Sequence, residues 1–242
     1  MNMLEIRNFS KSYDGKTKSC DGVNITVEAG DIYGFIGHNG AGKSTTIRSV
    51  VGVLEFEEGE IRIGGHSVRE ESMECKRMTA YIPDNPDLYE NLTGIQYLYF
   101  IADIFGIPRD VREERIKQYA AEFEITDALG NLISSYSHGM KQKLAIIGAL
   151  IHEPKLMVLD EPFVGLDPKA SLTLKNIMHQ MCDKGAAVFF STHVLDVAQR
   201  LCNKIGIIKH GKMVVEGQME DLQGDKTLED VFMEVTEHEN AQ

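Results

Sequence analysis

The stretch IYGFIGHNGAGKSTT, Ile32 to Thr46, decides the fold. Its opening apolar run reads as a short buried strand, and helical spacing takes over from Lys43 to about Val53. Between them lies a loop with Gly37, Gly42, Lys43 and Ser44 in the G-x-x-x-x-G-K-[ST] spacing. Glycines let successive backbone N–H groups turn inward into an anion-sized nest. The helix start behind it adds about half a positive charge aimed at the same point. A strand, a phosphate loop and a helix in that order imply an α/β core.

Working outward, LEIRNFSKSY (Leu4–Tyr13) and GVNITVEAGD (Gly22–Asp31) read as strands. GEIRIGGHSV holds two short apolar runs around Gly64-Gly65, the pattern of a hairpin. From about Asn85 to Ile151 the pattern is helical. TGIQYLYFIADIFG and PRDVREERIKQYAAEF carry it, the second with Pro108 and acidic residues near its start. After Pro154 strands return in KLMVLD, AAVFFST and KIGIIKHGKMVVEG, with helices between. This alternation predicts a largely parallel α/β core, about 1–84 and 152–216, with a helical lobe inserted at about 85–151 and a helical tail at about 217–242.

The phosphate loop predicts a nucleotide ligand. Gly37, Asn39, Gly40, Ala41, Gly42, Lys43, Ser44 and Thr45 are its candidate contacts. Lys43 would reach the β- and γ-phosphates and the Ser44 hydroxyl would ligate Mg²⁺. LMVLDEP (Leu156–Pro162) is an apolar run ending in two carboxylates. Asp160, at the carboxyl end of a buried strand, suits Mg²⁺ beside that loop. Glu161 projects differently and is the candidate to orient or deprotonate an attacking water, a role worth roughly 10²–10⁴ in rate. Without the phosphate loop, the same residues would read as a solvated strand end.

Bulk properties narrow the partners. The 242 residues are 43% hydrophobic and 26% charged, enough for one sizeable core. A net charge of -12 with no long basic run argues against a sequence-independent grip on nucleic acid and against docking on anionic lipid. Cys20, Cys75, Cys182 and Cys202 form no CxxC pair, which suits a reducing compartment. The N-terminus lacks a signal-peptide core, and no window approaches roughly 18 uninterrupted apolar residues. A cytosolic protein is expected, held at a membrane only by a partner.

The phosphate loop, YSHGM (Tyr136–Met140), LMVLDEP, GLDP (Gly165–Pro168) and STHVLD (Ser191–Asp196) together resemble an ATP-binding-cassette nucleotide-binding domain, over essentially the whole chain. The tail TLEDVFMEVTE is similar to the ending of ATPase subunits that pair with exporter-type permeases. The resemblance implies a phosphate-loop NTPase core: a RecA-like parallel sheet, an antiparallel β subdomain and an inserted helical subdomain. It implies an ATP-hydrolysing subunit that dimerises around two ATP, as a homo- or heterodimer, and drives a separate integral membrane permease for export. Such a subunit is cytoplasmic, peripheral on the inner face of the membrane, with no nucleic acid partner and no membrane insertion of its own. By the same resemblance Tyr13 stacks on adenine, and His193 contacts the γ-phosphate while keeping Glu161 and water in line. Asp167 belongs to the loop that couples one subunit's site to the other's. Ser137 and Gly139 cap the γ-phosphate bound to the opposite subunit. Ser137 also reads as an ordinary helix N-cap, and the two roles are compatible.

Three departures stand out. His138 replaces the usual first signature glycine, Met140 the usual glutamine, and Asp84 the usual glutamine that senses Mg²⁺ and links to the permease. Asp84 is read as keeping an Mg²⁺-linked role, directly or through water; the alternative is that it only starts a turn with Asn85 and Pro86. Tyr89, beside Leu88, is placed either at the cleft that receives the permease or in local packing of the helical lobe. Two other functions compete. A soluble cassette ATPase acting on DNA or ribosomes would need a longer insertion between Lys43 and Asp160, or a second cassette. A regulatory subunit with weak hydrolysis fits the altered signature but not the presence of Glu161 and His193.

Overall fold

The computed structural model describes residues 1–224 and 226–237, so the last residues of the expected tail, 238–242, lie outside the described residues. In chain order the first half holds β1 (Asn2–Ser12), β2 (Lys18–Glu28), β3 (Ile32–Ile36), α1 (Lys43–Val50), β4 (Glu58–Ile63), β5 (His66–Ser67), α2 (Ser72–Met78), β6 (Thr79–Ile82), α3 (Gly94–Ile104) and α4 (Arg109–Glu122). Then follow α5 (His138–Leu150), β7 (Leu156–Asp160), α6 (Pro168–Asp183), β8 (Ala187–Thr192), α7 (Leu195–Leu201), β9 (Lys204–Lys209), β10 (Lys212–Gln218), α8 (Met219–Gln223) and α9 (Leu228–Glu237).

Two sheets result. One is antiparallel, in the order β2-β1-β4-β5; the other runs β10-β9-β3-β8-β7-β6. In the second sheet β6, β7, β8, β3 and β9 are parallel, and only the edge strand β10 is antiparallel. Strands β3, β7 and β8 are buried at every position, as expected of short apolar runs covered on both faces. Alternate residues serve two cores. Tyr33, Phe35, Val158 and Phe189 pack toward the antiparallel sheet and α1. Ile32, Ile36, Met157, Leu159 and Phe190 pack toward the helices that follow β6 and toward α6, α7 and α9. The expected α/β architecture is therefore present, including the Gly64-Gly65 hairpin, which pairs Ile63 with His66.

Local chemistry sets the element ends. Thr93 and Gln96 form a reciprocal capping box at the start of α3. Ser137 caps α5, and Asp167 caps α6 with Pro168 in the first turn. Helix α1 stops at Val50 rather than near Val53. Gly52 turns left-handed there, at φ 72°, and the Val53 and Leu54 N–H groups both donate to the Arg48 carbonyl. Helix α2 and strand β6 were not legible from periodicity, having seven and four residues respectively. They matter because β6 pairs with β7 and carries the chain to Asp84 at the same end of the sheet as Asp160.

Helices α3, α4 and α5 lie in sequence between β6 and β7, and their apolar faces share one continuous core with the sheet. The exits of α3 and α5 are joined by His152, whose ring stacks on Phe105 with centroids 3.7 Å apart and planes 8° from parallel. Burial lowers the His152 pKa from 6.5 to about 4. The folded state thus prefers neutral imidazole. Its contribution is complete above pH 6.5 and is lost as pH falls toward and through 4. Relative to wild type, His152→Leu is expected to flatten the loss of thermal stability between pH 6.5 and 4, read from melting curves at half-unit pH steps.

Candidate functional site

The site forms where β3, β7, β8 and β6 end, at the carboxyl edge of the parallel sheet. The phosphate loop leaves β3 at Gly37 and enters α1 at Lys43. Gly42 stands at φ 111°, and a side chain there would also meet the Ser19 carbonyl at 2.7 Å; the position requires glycine for both reasons. No side chain caps α1, so its first N–H groups have no side-chain acceptor. Lys43 is nearly buried. Its Nζ donates to the carbonyls of Gly37 at 2.6 Å and His38 at 3.3 Å, and lies 3.7 Å from Glu161 Oε1. Burial lowers the Lys43 pKa from its ordinary value, while the nearby Glu161 and Asp160 carboxylates act to raise it. Asn39, Gly40, Gly42, Lys43, Ser44, Thr45, Asp84, Asp160 and Glu161, together with Ser19, line one open cavity of about 560 Å³. Gly37 and Ala41 shape the loop behind them: Ala41 N–H donates to the His38 carbonyl, and Gly37 packs on the Ile208 carbonyl.

The acidic strand end is organised by a residue that motif reading did not single out. Strand register sets Asp160 opposite Ser191. The Ser191 hydroxyl donates to Asp160 Oδ1 and accepts the Glu161 N–H at 3.1 Å. A small hydroxyl near the end of the apolar run before His193 is the one sequence signal that could have found it. Asp160 is 1% exposed, and its other oxygen, Oδ2, has no hydrogen-bond partner. Such an oxygen calls for a cation or a donor. With the Ser44 hydroxyl on the same cavity, the donor set is hard oxygen, which fits Mg²⁺. Among the described residues no cluster of three or more His, Cys, Asp or Glu side chains could cage a metal. The residues therefore fit an ion shared with phosphate and water, as Mg²⁺ prefers.

Glu161 sits at φ 48°, in the left-handed region that side chains avoid, at a cost of about 1 kcal/mol. Its Oε1 lies 2.9 Å from His193 Nδ1. The adjacent Thr192 hydroxyl accepts the Val194 N–H, fixing the turn that carries His193. Lys43, Glu161 and His193 thus form a chain of polar contacts across the cavity mouth.

Tyr13 lies on the rim, 63% exposed, with its hydroxyl 3.3 Å from Thr45 Oγ1. Asp84 lines the cavity, and its Oδ1 accepts the Asn85 N–H at 3.0 Å. Ser137, Gly139 and Asp167 do not line this cavity. They form a second group. The Ser137 hydroxyl accepts the Met140 N–H, and the exposed side chain of His138 packs over Gly165. A side chain at Gly139 would meet the Gly165 carbonyl at 2.8 Å. Lys143 reaches Asp167 at 2.6 Å and, with the Ala170 N–H, holds its carboxyl below the usual range. The start of α5 is thereby fastened to the loop that begins at Glu161.

Comparison with known proteins gives a consistent picture. Residues 20–164 match the family described as ABC transporter. The chain is 34% identical to the ABC-type transporter ATP-binding protein EcsA of Bacillus subtilis, covering 99% of this chain and 98% of that one. It is 36% identical to the bacitracin transport ATP-binding protein BcrA of Bacillus licheniformis, over 88% of this chain and 69% of that one. A solved ATP binding subunit of an ABC transporter superposes with a TM-score of 0.92 at 34% identity, covering 97% and 99% of the two chains.

Replacing Ser191 leaves one Asp160 oxygen and the Glu161 N–H unpaired in a buried place. Ser191→Ala is expected to lower stability by about 1–3 kcal/mol in denaturant titration and to reduce turnover beyond what the unfolded fraction explains. Ser191→Thr, which keeps the hydroxyl, should recover part of the turnover.

Proposed function

Because the chain belongs to the ABC transporter family and is an ATP-hydrolysing subunit of it, we propose that two such subunits close on two ATP molecules and drive a separate membrane permease in export. The observation that carries the reading is the contact chain Lys43–Glu161–His193, at 3.7 and 2.9 Å, across the mouth of the phosphate loop. A cation, a carboxylate and an imidazole in successive contact beside the phosphate loop support this reading.

In this reading the N–H nest and Lys43 hold the β- and γ-phosphates, and Lys43 gives up its contacts with the Gly37 and His38 carbonyls as the anion arrives. Tyr13, on the rim above Thr45, stacks on adenine. Ser44 and Asp160 would hold Mg²⁺, which would supply charge neutralisation at the phosphate oxygens. Glu161 orients the attacking water and takes its proton; His193 holds the carboxylate in line and meets the γ-phosphate. Ser137 and Gly139 of a second copy supply the far wall. The uncapped start of α1 and the exposed start of α5 are both anion-seeking ends, which suits a nucleotide sandwiched between them.

No helix among the described residues is long and apolar enough to cross a membrane. Family membership supports a separate permease as the partner that does the membrane work. Leu88, Tyr97, Ala145 and Gly148 line a cavity of about 280 Å³ between the helical lobe and the β6 edge, with exposed Tyr89 nearby, packed edge-on to Phe100. This is the proposed seat of the permease. Likeness to a bacitracin transport ATP-binding protein supports transport, and the resemblance of the tail supports export.

Glu161→Gln is expected to retain ATP binding, lower turnover by at least about a hundredfold, and sediment as a dimer with ATP and Mg²⁺ present. Full turnover by this variant would remove Glu161 from the mechanism, and a monomer at saturating nucleotide would remove the sandwich. Asp84→Asn is expected to shift the Mg²⁺ dependence of turnover; an unchanged titration would leave Asp84 as a turn residue only.

A further inference from the structure

The C-terminal helix α9 is packed against the nucleotide site rather than standing apart from it. Phe232, 6% exposed, meets the ring of His38 edge-on with centroids 5.1 Å apart and planes at 70°. His38 belongs to the phosphate loop, and its carbonyl accepts both the Ala41 N–H and Lys43 Nζ. At the other end of α9, the N–H of fully buried Leu228 donates to Gln199 Oε1 at 3.1 Å. Gln199 lies on α7, which begins two residues after His193. A third contact joins Lys209 Nζ to the Thr236 carbonyl at 2.5 Å. Lys209 follows Ile208, whose carbonyl lies so close to Gly37 that a side chain there would meet it at 2.5 Å.

We propose that α9 is a positioning element for ATP hydrolysis: Phe232 steadies the phosphate loop through His38, and Leu228 steadies the His193 segment through Gln199. The proposal rests on the nucleotide reading of the site. A helix that only covered apolar surface would bury Leu228, Val231 and Phe232, as α9 does. It would have no need to reach a loop ring, a side chain on α7 and a lysine at the end of β9. Those three contacts flank the phosphate loop and the His193 segment from one side, so the order of α9 becomes the order of both.

The two arms act on different steps, which separates positioning from simple support of the fold. Loosening His38 makes the loop more disordered before nucleotide arrives, so affinity falls. Loosening α7 leaves the loop intact but lets His193 wander, so turnover at saturating ATP falls. An aromatic contact of this kind converts to an effect of about three- to tenfold.

The test uses the full-length chain, a fluorescent ATP analogue for affinity, steady-state turnover and melting curves. Phe232→Leu keeps the site apolar and most of it filled while removing the ring edge; it and His38→Ala are each expected to weaken analogue binding about three- to tenfold. The double variant should be no weaker than the weaker-binding single. Gln199→Leu should lower kcat with affinity unchanged, and Met233→Ala, on the outer face of α9, should change neither. Multiplying effects in the double variant, or wild-type affinity in Phe232→Leu, would overturn the proposal. So would a fall in melting temperature with neither affinity nor kcat altered. If Phe232→Leu does not fold, His38→Phe against His38→Ala decides: the first should keep wild-type affinity, and equal affinities would refute the contact. Failure of the wild-type chain to bind the analogue would instead count against the nucleotide reading itself.

Discussion

The first turn of α1 presents backbone N–H groups to an open cavity with no side-chain acceptor, and much of the molecule follows from that arrangement. Uncapped amides at a helix start are tolerated when water or an anion meets them. Holding them in one place requires Gly42 in a left-handed turn against the Ser19 carbonyl and Gly37 against the Ile208 carbonyl. The loop is thus walled by β2 on one side and β9 on the other. Lys43, nearly buried beside the Gly37 and His38 carbonyls, occupies the same small volume and waits for a stronger partner.

Much of this was legible from residues alone. The phosphate loop, Asp160 and Glu161 sit in contiguous runs whose spacing reflects their chemistry, and the structure places them around one cavity. The parallel core was readable because β3, β7 and β8 are uninterrupted apolar runs. Other features depend on contacts between distant segments. Ser191 organises the acidic pair only because strand register sets it opposite Asp160 across 31 positions of sequence. Strand β6 is too short to announce itself, and α1 ends early through a glycine turn whose carbonyl partner, Arg48, no periodicity shows. The left-handed backbone at Glu161 has no sequence signature, since glutamate is not a residue that favours it.

The two groups of site residues in one chain are physically connected. His138, where a glycine is usual in the family, lies over Gly165, and Lys143 grips Asp167. The loop between Glu161 and Asp167 therefore has the candidate base at one end and the start of α5 at the other. Lys141, one turn into α5, also pairs with Glu90 in the segment after Asp84. In the proposed dimer, displacement at the surface facing a second copy has a short route to the candidate base Glu161, and another toward the helical lobe. The altered signature residues keep this connection, because the His138 side chain is used within its own subunit.

The backbone at Glu161 carries one further implication. A glycine, or a residue such as asparagine, would relax that position more readily than glutamate does. A lineage selected for robustness alone would drift away from the acidic side chain, and would lose the partner of His193 in doing so. Conformational tension thus falls on the candidate base itself, and it identifies the spot at which relaxing the backbone would cost the chain its contact with His193.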